Sequence, residues 1–355
     1  MEEIPMRKSR CIIAALLTLI ALSCFMAGAA GTLPEPLIHD ERPGVGVTQM
    51  RWLSDYFEPI AGTPVDTKVY IMDSGKPGPT AIVLGGTHAN EISGIMATTL
   101  IIERGVVTKG RLIVLTHANN AASANKDTRT PIEWVTLTTP SGERKFKYGA
   151  RDTRADFQEP DPEKYQHYPT GQELAGNEAR NLNRNYPGKA DGTLTQQLAY
   201  AIMQLVSAEG VTIGMDFHEA DPGGRLEWML VTNPKNIQIG AMVMVYMEMN
   251  TGFSLKTLEP SSDVRGLTHR EWGDYLKDLD PYLIETGNPG MGKDSMTADV
   301  VNDASRPLGL RVAVALNTLL SVFDAERDMR GDAPVLKGMP SFNELAKEGV
   351  GKFLR

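Results

Sequence analysis

The sequence predicts an α/β fold in which a mostly parallel or mixed central sheet is flanked by helices. Three neighbouring stretches carry that expectation. Thr80 to Leu84 is a short, β-branched apolar run suited to a buried strand. Ile92 to Glu103 has its apolar residues at helical spacing, with Gly105 as a stop. Arg111 to Thr116 reads as the next strand. A strand, a helix and a strand in close succession make a βαβ unit, which sets strands parallel and puts helices on the sheet faces.

The other elements follow in order. Residues Met1 to Ala30 hold a basic start (Arg7, Lys8, Arg10), an apolar core from Cys11 to Met26, and the small residues Ala27-Gly28-Ala29-Ala30. That is the pattern of a secretory signal peptide, and the apolar run is also long enough to serve as an N-terminal membrane anchor. Cys24 invites a lipoprotein reading, but Ala21 stands where the lipid-attachment motif usually has Leu. Gly31 to Pro64 is rich in Pro and Gly, and Thr67 to Met72 alternates as a strand does. Ala121 to Asn177 is charged, Pro-rich and weakly periodic, and is expected to be a long functional loop. Regularity returns with a helix from Leu194 to Ala208 and strands from Val211 to Phe217 and Leu226 to Thr232. A helix from Lys235 to Asn250, a strand from Tyr282 to Glu285 and a long apolar helix from Arg306 to Asp324 complete the pattern. The expected organisation is a segment 1–30, one domain over 31–330 and a tail over 331–355.

Composition narrows the chemistry. The chain of 355 residues carries a net charge of −8, an acidic balance unsuited to a nucleic-acid backbone. Both cysteines, Cys11 and Cys24, fall in the N-terminal segment, so no thiol remains for catalysis, zinc binding or a disulfide framework once that segment is removed. The stretch around which the chain is organised is Gly85-Gly86-Thr87-His88-Ala89-Asn90-Glu91, between the strand and the helix of the βαβ unit. An imidazole and a carboxylate three residues apart suit zinc, and a hydrolytic zinc site needs one further protein ligand plus an open position. His218 ends the strand that begins at Val211, and ligands gather at the carboxyl ends of strands in open α/β sheets. It reads as the third ligand or, more blandly, as a hydrogen-bonded core histidine. Glu285 ends a later strand and reads as a general base or as an edge carboxylate in an ion pair. Asn183 and Arg184 suit a bidentate grip on a substrate carboxylate, with Arg180, Arg151 and Arg154 as candidates to polarise a carbonyl. A polar surface turn is the alternative for that stretch.

Taken in order, Gly-Gly-Thr-His-x-Asn-Glu, Asn-Leu-Asn-Arg-Asn-Tyr-Pro-Gly, Asp-Phe-His and Ile-Glu-Thr-Gly resemble the zinc carboxypeptidase superfamily. The opening motif is most similar to the succinylglutamate desuccinylase/aspartoacylase branch. The resemblance spans Thr67 to Asp324 and implies one zinc on His88, Glu91 and His218. It also implies Asn183 and Arg184 at a substrate carboxylate and Glu285 as base and acid. Two departures stand out. Those relatives carry a C-terminal β-rich domain for which too few residues follow Asp324, and they are cytosolic where this chain reads as exported, periplasmic or extracellular. The upstream arginine of the family has no unambiguous counterpart, Arg180 being the candidate.

Other chemistries fit less well. Gly287 to Lys293 nearly makes a phosphate-binding loop, but Asp294 replaces the hydroxyl residue that would hold magnesium. There is no Gly-x-Ser-x-Gly and no helical His-Glu-x-x-His. The expected function is hydrolysis of an amide bond in a small or short-peptide substrate with a free carboxylate, as in N-acyl amino acid deacylases. An exported metallocarboxypeptidase or murein-peptide amidase is the first alternative, and a non-catalytic exported binding protein the second.

Overall fold

A computed structural model describes residues 33–260 and 263–355, so the segment Met1 to Ala30, read above as a signal peptide, lies outside the described residues. In chain order the strands and α-helices begin with β1 (Gln49–Trp52), β2 (Lys68–Asp73), β3 (Thr80–Leu84), α1 (Ile92–Arg104), β4 (Val106–Lys109) and β5 (Arg111–Leu115). A short α2 (Asn120–Ser123) precedes two hairpins, β6 (Trp134–Thr139) with β7 (Gly142–Lys147) and β8 (Lys164–Gln166) with β9 (Glu173–Ala175). Then come α3 (Leu194–Ala208), β10 (Val211–Ala220), β11 (Met229–Thr232), α4 (Ile237–Thr251), β12 (Thr257–Pro260), α5 (Thr268–Tyr275) and β13 (Asp280–Gly287). The chain closes with α6 (Leu308–Arg330), β14 (Val335–Lys337) and α7 (Phe342–Glu348).

Eight strands form one sheet in the order β1-β2-β5-β3-β10-β13-β11-β12. The centre, β5-β3-β10-β13, is parallel, and β2 and β11 join it antiparallel. The expected mixed sheet is the one found. Strand alternation sorts the core into two faces. Ala81, Val83, Met215, Phe217 and Ile284 point to one side, against α1, α4 and α6. Ile82, Leu84, Ile113 and Leu115 point to the other, against α3 and Trp272 of α5. With about 25 cal/mol gained per Å² of apolar surface removed from water, these two buried layers supply the main driving force for the fold.

Several expectations are corrected. The stretch from Ala121 to Asn177 is not one irregular loop, since it holds both small hairpins. Helix α6, expected above as a long apolar helix over Arg306 to Asp324, is long and apolar enough by length and composition to cross a membrane (mean hydropathy 1.5), and 78% of that window is buried inside the protein. The Gly287 to Lys293 stretch, set aside above as a phosphate-binding loop, contains a 3-10 turn, Pro289–Met291, and is not followed directly by the α-helix whose N-terminus a phosphate site requires. Residues 331–355 are packed: β14 pairs with β4, and Leu345, Val350 and Leu354 are buried in the same core as α6. Leu345→Ala is therefore expected to cost about 2–5 kcal/mol, the range for truncating a buried leucine. Urea unfolding measures it, and a change within about 0.5 kcal/mol would show that the C-terminal segment adds nothing to the core.

Candidate metal centre and active-site cavity

The loop after β3 is shaped by two glycines. A Cβ at Gly85 would sit 2.4 Å from Thr98 Oγ1 and 2.6 Å from the Gly94 carbonyl oxygen, so only glycine lets the loop lie against α1. Gly86 adopts φ +66°, the left-handed conformation that glycine takes at least cost. The chain thereby turns off the sheet edge and presents His88 just before the helix, with Glu91 at the helix N-cap. His218 arrives from β10, which runs three residues beyond the predicted strand end.

His88, Glu91 and His218 are all buried, and their donor atoms lie within 4.8 Å of one another. Both imidazoles turn Nδ1 toward the same carboxylate. His88 Nδ1 is 2.6 Å from Glu91 Oε1, and His218 Nδ1 is 2.9 Å from Oε2. Of their far nitrogens, His88 Nε2 lies 2.9 Å from the acceptor Asn181 Oδ1, while His218 Nε2 lies 3.0 Å from Asp216 Oδ2 without the geometry of a hydrogen bond. Asp216 is held in turn by the hydroxyls of Thr87 and Thr268, at 2.8 and 2.6 Å. A proton on each Nε2 would leave each Nδ1 lone pair pointing inward, the tautomer that metal-bound histidines owe to their outer partners.

The donors fit a zinc ion. Two imidazole nitrogens and a carboxylate make a set used by open, catalytic zinc sites. Glu91 Oε2 is buried and lacks a hydrogen-bond partner, although His218 Nδ1 stands so close. A buried carboxylate oxygen in that position is costly unless a cation satisfies it. The protonation preferences agree. Burial alone would raise Glu91, but the two imidazoles hold it well below the usual carboxylate range. Burial alone would lower His218, and Asp216 and Glu91 push it up instead. The site asks for positive charge.

Glu285 sits on β13 directly beside His218 in the parallel register. Burial, with Glu91, Asp216 and Glu219 adding like charge, pushes its carboxyl up to about 8 despite the opposing effect of His218. These groups share a cavity of about 480 Å³ with Asn183, Arg184 and Arg151. Asn183 Oδ1 accepts from the backbone N–H of Thr268 at 2.8 Å, which leaves its amide N–H groups as donors for a ligand. Arg184 donates Nη1 to the Asn183 carbonyl at 2.6 Å and has Glu178 only at 3.9 Å. Its pKa is lowered by burial, the response of a guanidinium short of anionic partners.

Arg180 is not brought to this cavity. Its guanidinium is held bidentately by Asp161 at 2.7 and 2.9 Å and lines a separate, smaller recess of about 380 Å³. Arg154 pairs at the surface with Asp156. Of the three spare arginines Arg151 is the one at the site, 3.1 Å from Glu178. Sequence reasoning also missed Arg129 and His269, both of which line the cavity. His269 is buried with Nδ1 unpartnered, and burial holds its imidazole down to about 3 and hence neutral. No spacing in the sequence links it to the other site residues.

Two substitutions test the centre. Elemental analysis of dialysed protein is expected to find about one zinc per chain, lost in His88→Ala. Asp216→Asn keeps all three ligands and is expected to weaken zinc about 10- to 100-fold by disturbing the His218 tautomer. Zinc retained at parental affinity in both variants would place the metal elsewhere.

No protein-family model matches the sequence, and no curated protein matches it. Solved structures do. The chain is similar to the product-bound ectoine utilization protein from Ruegeria pomeroyi, at 18% identity and a TM-score of 0.46, covering 74% of this chain and 61% of that one. It is similar to a succinylglutamate desuccinylase from a Silicibacter species, at 17% and 0.47, covering 86% and 75%. A third match is the apo cell shape determinant protein from Helicobacter pylori, at 10% and 0.49, covering 79% and 58%. This chain thus spans about three-fifths of the length of the first and third of these proteins.

Proposed function

We propose that the protein is a zinc-dependent hydrolase of an amide bond in a small, carboxylate-bearing substrate, most like an N-acyl amino acid deacylase. One observation carries the reading: a two-His, one-Glu donor set and the half-buried Glu285 carboxylate on the neighbouring strand share one cavity with an under-partnered arginine. A binding protein has no use for Glu285 beside the ligands, whereas a hydrolase needs a proton acceptor there.

Zinc held by His88, Glu91 and His218 would acidify a water and polarise the scissile carbonyl. The protein's own groups do the rest. Arg184 and Asn183 hold the substrate carboxylate, which fixes the scissile bond with respect to Glu285. Glu285 takes the proton of the attacking water and returns it to the leaving nitrogen; burial gives its carboxyl the proton affinity for both tasks near neutral pH. Arg151 stands on the cavity wall as the donor toward the oxygen on which negative charge develops. The signal-like N-terminal pattern supports an exported enzyme, periplasmic or extracellular.

Glu285→Gln keeps the size of the side chain and removes the proton acceptor. Turnover is expected to fall about 10²- to 10⁴-fold with zinc content unchanged. Near-parental turnover in that variant would assign the base to another group.

A further inference from the structure

We propose that residues 35–39 form an acid-released flap hinged at Asp40: the imidazole of His39, stacked on His117, holds the flap closed beside the carboxyl end of β5, and protonation of His39 opens it.

Residues 35–48 contain no helix or strand, and Gly46 is their only buried residue. Apolar burial therefore does little to seat this segment, and specific polar contacts do the rest. The rings of His39 and His117 lie face to face, with centroids 3.4 Å apart and planes within 6° of parallel. His39 Nε2 is 2.8 Å from Asn120 Oδ1. The orientation of that amide is set by its Nδ2, which donates to the carbonyls of Leu37 at 3.1 Å and Asp66 at 3.0 Å. Asn120 Oδ1 is thus an acceptor, which assigns the proton of neutral His39 to Nε2.

The charged groups around the stack set its response to acid. Glu41 Oε2 accepts from Tyr70 at 2.9 Å and pairs with Lys68 at 3.0 Å. Its Oε1 accepts from Thr116 and lies 3.4 Å from His117 Nδ1. Burial first, then His117 and Lys68, hold the His39 imidazole down to about 3 against the opposing pull of Asn120 and Glu41. The hinge does not depend on His39. Arg144, whose side chain is fully buried, donates to Asp40 Oδ2 at 2.9 Å and to its carbonyl at 2.7 Å. Arg42 grips the same carboxylate at 2.8 and 2.9 Å. Burial alone would raise Asp40, but Arg42 and Arg144 hold it below its ordinary value. Burial alone would raise Glu41 as well, and His117, Thr116 and Lys68 hold it well below the carboxylate range. Both acids therefore stay charged at pH 5, and opening is confined to the residues before the hinge.

Linkage gives the direction. An imidazole freed into water returns to about 6.5, so the His39 contribution to closure is fully present above that pH and is lost as the pH falls toward 3. From pH 7.5 to pH 5 the equilibrium constant for opening rises about 30-fold. The same part of the chain backs the metal loop. Ala118 N–H donates to the Gly85 carbonyl at 2.8 Å and Asn119 N–H to the Gly86 carbonyl at 3.0 Å. A Cβ at Gly86 would meet His117 Cα at 3.1 Å. Residues 117–120 thus carry the closed flap on one side and the turn that presents His88 on the other.

The test places a nitroxide on the flap through Ile38→Cys, a position 65% exposed, in protein whose Cys11 and Cys24 are replaced by serine. In electron paramagnetic resonance spectra the ratio of mobile to immobile label is expected to rise at least about tenfold from pH 7.5 to pH 5. It should stay flat in His39→Phe, which keeps a planar ring on His117 and cannot be protonated. An unchanged ratio with His39 present, or an equal rise in His39→Phe, would overturn the proposal. Where His39→Phe does not fold, the NMR titration of the His39 ring decides: a midpoint below about 6.5 is expected, and one at or above that value would overturn the proposal. Amide exchange at Ala118 and Asn119, referenced to intrinsic rates at each pH, is expected to quicken as the flap opens. Exchange there that ignores opening would overturn the link to the metal loop.

Discussion

The parallel pairing of β10 between β3 and β13 is the constraint on which the site depends. It brings three distant parts of the chain to one edge of the sheet in fixed register. From β3 comes the loop that carries His88 and Glu91, from β10 His218, and from β13 Glu285 one strand further out. A slip of one residue in either pairing would turn His218 or Glu285 to the opposite face, into the layer occupied by α1 and α6. The core residues guard against that slip, because Met215, Phe217 and Ile284 would then leave the apolar layer.

A second set of contacts locks the same edge from behind. Glu219, next to His218 but on the other face, accepts from Arg311 of α6 at 2.5 Å, from the Ser93 backbone N–H of α1 at 3.1 Å and from Asn288 Nδ2 at 3.1 Å. Glu219 and Arg311 are both fully buried as side chains. Such a pair adds little net stability over apolar replacements, but leaving one member alone typically costs about 3–5 kcal/mol. Its effect is to tie two helices and the segment after β13 to β10 in a single arrangement around the candidate metal site. The front and back of β10 are thus both polar at its carboxyl end, one face carrying His218 of the candidate metal site and the other the buried Glu219–Arg311 pair.

Much of this was legible in the sequence. His88, Glu91, His218 and Glu285 announce themselves because each follows an apolar strand, and strand ends are where such a sheet exposes its functional groups. What could not be read depends on contacts between distant residues. Arg180 and Arg151 look alike in sequence, and their difference lies in Asp161, which captures Arg180 and holds it in another recess. Helix α5 is polar in composition, yet its Thr268, His269, Glu271 and Trp272 are buried, because it packs against the sheet beside the site. The hairpin of β6 and β7 buries only alternate residues, among them Thr139 and Arg144, so its apolar signal is weak. The C-terminal residues looked like a tail because the apolar positions that dock them, Leu336, Leu345, Val350 and Leu354 among them, are spread over a three-residue strand and short helices.

The central claim is that His88, Glu91 and His218 bind one metal ion together. The most direct measurement is X-ray absorption at the zinc edge on protein loaded with one equivalent of zinc. The account predicts a four- to five-coordinate shell of nitrogen and oxygen at about 2.0–2.2 Å, with two imidazoles contributing their outer-ring scattering. An all-oxygen shell without imidazole scattering would contradict it.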